Sequence, residues 1–233
     1  MIKYFDSIPA TPKRQMILAR LGHNSALTVL EPEHAEFLEK GIQKGLLLCH
    51  LQGAYARFKI AARTTESVTL ENGEMFASAS LAKLLENSDE VLLMAATAGK
   101  QPMDAIAAEL DAGNAALALI LDATASQKAD AGLDWLEEFV EKLLLREGRC
   151  LTRRRYSPGY GDLALSNQKI IYDALGLEKF GLKLTERFLL IPEKSVLAIA
   201  GIENRTDVHH EGHEEHEEKQ EGTDKTETSN RQD

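Results

Sequence analysis

Cysteine is scarce in this chain: the 233 residues contain two, Cys49 and Cys150. They lie far apart, form no C-x-x-C pair and share no Cys/His spacing of the zinc type, which excludes a disulfide scaffold and a structural zinc site. No apolar run approaches the roughly twenty residues that a membrane helix needs. Met1 to Ala10 has Lys3, Asp6 and Pro9 mixed into the only stretch that could serve as a signal core. These absences predict a cytoplasmic protein with reduced thiols and no membrane partner. Positive charge is also in short supply, with 27 basic against 37 acidic residues and a net charge of −10. That balance argues against nucleic acid as a partner, and Arg153-Arg154-Arg155 is too short to reverse it. There is no G-x-S-x-G and no Cys/His pairing to suggest a nucleophilic triad.

Apolar residues are plentiful, at 43% of the chain, enough for the core of one large domain or two small ones. Residues 204–233 are set apart from that core. They hold one apolar residue, Val208, no aromatic residue, and ten acidic against four basic side chains. Such a segment buries too little to offset its ordering entropy, so the fold is expected over 1–203 and a disordered acidic tail over 204–233. Four of the seven histidines, His209, His210, His213 and His216, fall in that tail among glutamates. Loose capture of a divalent metal is one reading of them, and a solvated charged tail is the plain alternative.

Within the body, Thr11-Pro12 has the chemistry of a helix start, with Gly22 as its stop. A second amphipathic helix is predicted over Pro32 to Lys44, stopped by Gly45, and a third over Ala79 to Leu85. Ala54 to Ala61 and Ser67 to Leu70 read as strands, and Asn72-Gly73 as a hairpin turn before Met75-Phe76. Val91 to Ala95 reads as a buried strand, and Met103 to Leu110 as a helix. From Ala115 to Arg146 helix formers dominate, with Gly132 the interior breaker, so one bent helix or two abutting helices are both open. Strands at Phe188 to Ile191 and Val196 to Ile202 complete a mixed α+β domain with a largely antiparallel sheet.

The stretch richest in chemistry is Arg155-Tyr156-Ser157-Pro158-Gly159-Tyr160. A guanidinium grips a carboxylate through paired charge-assisted hydrogen bonds, glycine lets the main chain approach a ligand closely, and tyrosine adds an apolar face and a hydroxyl. After it come a helix-like Asn167 to Leu175, Lys183-Leu184-Thr185-Glu186-Arg187-Phe188, and Ile191-Pro192-Glu193-Lys194-Ser195-Val196. The ordered series R-x-x-x-G-Y, helix, K-L-T-E-x-F and P-x-x-S-V resembles the activation domain of cobalamin-dependent methionine synthase. Leu92 to Gly99 and Ala118 to Ala123 are similar to upstream segments of that family. Two positions depart from it: Leu163-Ala164 stands where the family has C-P, and Arg187 where it has serine.

The resemblance implies a module that binds S-adenosylmethionine and supports reductive methylation of cob(II)alamin, the cobalt acting as nucleophile. It implies that Arg155 pairs with the methionyl carboxylate, that the backbone from Tyr156 through Ser157 and Pro158 to Gly159 meets the adenine, and that Tyr160 contacts the ligand. For the ammonium it points to the preceding helix, where Asp134 is the nearest match and Glu137, Glu138 and Glu147 are nearby; Asp6 is a looser N-terminal candidate. Nothing in the chain is expected to bind cobalamin by the family's D-x-H-x-x-G motif, and no homocysteine or folate domain is expected in it. The implied protein is freestanding. Its partners would be the cobalamin-binding domain of a methionine synthase or of another corrinoid protein, and an electron donor such as flavodoxin or ferredoxin. An interaction protein that keeps the fold without the ligand is the alternative from a different class.

Overall fold

The computed structural model describes residues 1–23 and 31–205. The strands in chain order are β1 (Lys3–Phe5), β2 (Gln52–Arg63), β3 (Ser67–Leu70), β4 (Met75–Ala77), β5 (Ser88–Thr97), β6 (Arg149–Leu151), β7 (Lys183–Leu184), β8 (Leu190–Ile191) and β9 (Ser195–Asn204). Seven of them form an antiparallel sheet in the order β4-β3-β2-β5-β9-β6, with β1 also paired to β2. Side chains alternate across this sheet. One face carries Ala54, Ala56, Val91, Leu93, Ala95, Leu197 and Ile199; the other carries Tyr55, Leu92, Met94, Ala96, Ala198, Ala200 and Ile202. Both faces are covered, which is why β5 is a continuous apolar run and not a hydrophobic-polar alternation.

The helices divide between those faces. α3 (Ala79–Leu84) and α6 (Gln168–Leu175) cover the first through Leu81, Ile171 and Leu175. The second lies under α5 (Ala115–Leu144), whose Leu133, Leu136, Val140 and Leu144 pack on it. α5 is a single helix of 30 residues. Gly132 does not break it, because its lack of a side chain lets the helix press onto the sheet: a Cβ there would sit 2.8 Å from the Cβ of Ala96. The first half of α5 supports a further layer made by α1 (Arg14–Arg20), α2 (Pro32–Leu48) and α4 (Gln101–Asp111). Ile17, Leu18, Leu38 and Ile42 meet Ile120 and Ala123, and Ile106 meets Ala118 and Leu121.

Several expectations are corrected here. Gly45 does not stop α2, which runs on to Leu48; the glycine faces Thr124 of α5, where a Cβ would lie 2.9 Å from that side chain. α1 starts at Arg14, with Lys13 extended in front of it and Thr11-Pro12 outside the helix. Phe188 cannot begin a strand, since its φ of 59° places it in the left-handed region, in a turn where its N–H bonds to Thr185 O at 2.9 Å. The short strands β1 and β6 had no sequence signal of their own. Among the described residues no helix is long and apolar enough to cross a membrane. The tail expected from 204 begins later than that, since Asn204 closes β9 and Arg205 N donates to Gly148 O at 3.0 Å; the rest of it, with its four histidines and their metal reading, lies outside the described residues.

Candidate functional site

After β6 the chain leaves the sheet but is tied back to β9 twice. Thr152 donates its N–H to Gly201 O at 2.9 Å and accepts from Gly201 N through Oγ1 at 3.0 Å. Tyr156 then exchanges both backbone bonds with Ile199, each at 2.8 Å. That pairing sets the direction of the side chains around it. The Tyr156 ring joins the core on the α6 side, and Arg155, its neighbour, faces α5. Ser157-Pro158-Gly159-Tyr160 closes as a turn, Tyr160 N donating to Ser157 O at 3.2 Å. Proline presets the second position, and the third needs the φ of 94° that Gly159 adopts.

Asp162 fastens the far end of this loop to the start of α3. Its carboxylate accepts from Ser78 Oγ at 2.6 Å, Ala79 N at 2.7 Å and Ser80 N at 3.1 Å. These bonds, that of Ser78 foremost, lower its pKa to about 2. A carboxyl held below its unfolded value contributes stability that is present at neutral pH and lost as pH falls. Asp162→Asn is therefore expected to be less stable than the wild type at pH 7. In denaturant titrations the gap should narrow as pH falls from about 4 toward 2; a gap that stays constant would show that the charge is not what binds the loop.

The loop forms one wall of a groove of about 990 Å³. The other walls are Ala10 to Lys13 with Met16, one face of α5, and the start of β9 with Gln168. Of the residues singled out from sequence, Arg155, Tyr156, Ser157, Pro158, Tyr160 and Asp134 line it, and so does Glu138; Gly159 shapes the turn behind the wall. Asp6 is not part of the lining. Glu147 is engaged elsewhere, bonded to Arg57 at 2.8 Å.

Arg155 is the electrostatic centre of the groove. Its Nη1 donates to Asp134 Oδ1 and to Glu137 Oε2, both at 2.6 Å. Its Nε and Nη2 make no hydrogen bond among the described residues, which leaves that edge of the fork for a ligand. Burial works against the charge of Arg155, but the bond to Asp134 and the fields of Glu137 and Asp134 outweigh it and raise its pKa. Burial also pushes up the carboxyls of Glu137 and Asp130, with Arg155 opposing in both cases. The α5 wall thus gathers carboxylates around one guanidinium. It can take an ammonium on its acids and a carboxylate on the remaining edge of the arginine.

Asp130 escaped the reading of the sequence, although the signal was present: Gln127, Asp130, Asp134 and Glu138 recur at helical spacing on one face. The start of β9 was missed because its role is tertiary. β6 covers β9 only over its last residues, and Tyr156 pairs at Ile199. Two residues toward the strand's start, ladder alternation turns the N–H and C=O of Leu197 the same way, toward the groove that Leu197 lines.

Neither a family model nor a curated protein matches the sequence. Among solved structures, a crystal structure of the MetH reactivation domain bound to AdoHcy (S-adenosylhomocysteine) matches with a TM-score of 0.66 at 15% identity, over 89% of this chain and 79% of that one. This chain has the reactivation-domain fold. On that fold, the departure at Leu163 is accounted for: the side chain is buried in the α6-side core, and its backbone bonds Gly159 N at 2.8 Å and Tyr160 O at 3.1 Å. The turn is held by packing in place of the C-P pair. One sequence expectation needs amending: the letters D-x-H-x-x-G do occur, at Asp207, His209 and Gly212, outside the described residues and in a segment with Val208 as its one apolar residue.

Proposed function

We propose that the protein binds S-adenosylmethionine in this groove and presents its methyl group to a corrinoid on a separate protein, as a reactivation subunit for a cobalamin-dependent methionine synthase. The observation that carries this reading is the half-used guanidinium of Arg155 facing the acidic wall of α5. An α-amino acid is a zwitterion, and this pair has a place for each of its charges. The ligand's ammonium would take over Asp134, with Asp130 one turn away, while its carboxylate would occupy the Nε and Nη2 edge of Arg155. The resemblance of the MetH reactivation domain, whose structure holds AdoHcy, supports the nucleoside half of the ligand.

When bound on its partner, the corrinoid supplies the nucleophile, and S-adenosylmethionine supplies a methyl group on a good sulfonium leaving group. This chain's own residues bind and orient the methyl donor. Proximity and orientation are the contribution such a module makes. A one-electron donor of the flavodoxin or ferredoxin type completes the scheme.

Calorimetric titration with S-adenosylmethionine and S-adenosylhomocysteine tests the reading, and no binding of either would end it. Binding followed by failure to support reductive methylation on a methionine synthase would transfer the role to another corrinoid methyltransferase. Tyr160 offers a finer check. It is 70% exposed, and its hydroxyl bonds to no described residue. Tyr160→Phe should leave thermal stability unchanged and weaken ligand binding by roughly 1 kcal/mol, the worth of one neutral hydrogen bond.

A further inference from the structure

The carboxylates of α5 are more than the ligand's amino-acid end needs. Arg155 meets Asp134 and Glu137, and an ammonium at Asp134 completes the pairing with a zwitterion. Asp130 lies one turn before Asp134, lines the same groove and is partly exposed. The direction of the loop says which part of a ligand passes it. Tyr156 pairs antiparallel with Ile199, so Ser157 to Tyr160 runs back along β9 toward Ser195. At that end Val196 packs with Ala125 and Ala129 of α5. On the function proposed above, the amino-acid end sits at Arg155 and Asp134 and the nucleoside along Ser157 to Tyr160, so Asp130 falls between them.

What joins those two ends of S-adenosylmethionine is the sulfonium. Three carbons separate its sulfur from the ammonium nitrogen, a reach of roughly 5 Å, against about 6 Å for one helical turn. With the ammonium on Asp134, the sulfur comes level with Asp130. We propose that Asp130 faces the sulfonium and makes the groove prefer the charged methyl donor to its demethylated product. This assignment rests on the function proposed above and adds a specificity residue to it. The other charges that act on Asp130 are Arg20 of α1, Arg155 and Asp134. The ligand's carboxylate takes up Arg155, and Lys13 and Arg154 stand at the exposed rim, where water and salt screen them. The donor carries one net positive charge and S-adenosylhomocysteine none, because loss of the methyl group leaves the C–S bonding pair on sulfur. The charge on sulfur falls as the methyl departs, so the attraction selects donor over product and does not speed the transfer.

The test is calorimetric titration of the full chain with S-adenosylmethionine, S-adenosylhomocysteine and sinefungin, whose charged amine replaces the methylsulfonium. Wild type should bind the two cationic compounds about fivefold tighter than S-adenosylhomocysteine or more, the factor expected of one solvent-screened charge pair. In Asp130→Asn both should lose roughly that factor and S-adenosylhomocysteine almost nothing, so that the preference collapses, while Asp130→Glu should keep it. Asp134→Asn, at the ammonium, should weaken all three alike. Unliganded Asp130→Asn should melt no lower than wild type at neutral pH, since burial disfavours the ionised carboxyl. Asp130→Ser serves as the second variant if the asparagine protein does not fold. A wild type without the preference, a preference that survives Asp130→Asn, an equal loss for all three ligands, or sinefungin binding no tighter than S-adenosylhomocysteine would overturn the assignment while leaving the proposed function intact. Failure of the wild type to bind any of the three would overturn both.

Discussion

Arg155→Ala is expected to weaken S-adenosylhomocysteine binding by about 2 kcal/mol or more, roughly thirtyfold, through loss of a charged hydrogen-bond partner. The same change has a second consequence in the empty protein. Glu137 is half-buried, and its carboxyl is already pushed up by burial with Arg155 opposing. Without the guanidinium the opposition disappears, and an ionised, half-buried Glu137 is left with the like charges of Asp134 and Glu141. A carboxyl whose folded pKa is raised destabilises when ionised and is relieved as pH falls through that pKa. The stability loss in Arg155→Ala should therefore be largest at neutral or higher pH and shrink in mild acid. Two further variants separate the roles. Arg155→Lys keeps the charge without the planar fork, and should recover stability far more than affinity. Adding Glu137→Gln to Arg155→Ala should restore stability and leave binding weak. If Arg155→Ala binds like wild type, the carboxylate grip is wrong.

Gly132→Val is expected to destabilise the fold by about 3 kcal/mol. The first atom of the new side chain would stand 2.8 Å from Ala96 Cβ and 3.0 Å from Leu51 Cδ1. Ala96 belongs to β5, bonded on one side to β2 and on the other to β9, and cannot retreat. α5 has to lift, and with it Asp130 and Asp134, which flank the glycine in sequence. Binding should fall together with the melting temperature, although the substitution touches no part of the groove. Gly132→Ala meets the same obstacle with one carbon but gains about 1 kcal/mol of helix propensity, so its net effect should be much smaller. Wild-type stability in the valine variant would show that the helix and sheet are not in their closest contact here.

These two positions also show what a sequence can and cannot convey. Gly132 stood out in a long helical stretch, but propensity treats an interior glycine as a weakness; the reason for it is a strand 36 residues earlier in the chain, at Ala96. The antiparallel strands, the Asn72-Gly73 turn and the apolar run of β5 were legible because they follow from local pattern. So was the Arg155 to Tyr160 loop, whose turn depends on Pro158 and Gly159 themselves. The partners of Arg155 were harder to identify. Asp134 was picked out by resemblance, Glu137 was left as one of several acids on the same helix, and Asp130 was passed over, because only the fold says which face of α5 the arginine meets. Thr11-Pro12 carried a helix-start signal that was overruled: Pro12 is buried, and the segment serves as a groove wall instead.

The place of β9 in the sheet has a consequence for how the protein is made. This strand lies between β5 and β6 and brings Ser195 to Leu197 to the groove, opposite walls drawn from Ala10 to Met16. During translation, a chain that has not yet exposed β9 has β5 with a bare apolar edge and a groove with one side missing. No ligand can stabilise such a chain, because stabilisation by mass action requires the finished site. A ligand held in this groove could therefore protect only molecules whose β9 is in place, and interrupted chains, with that edge of β5 unpaired, remain open to aggregation and proteolysis.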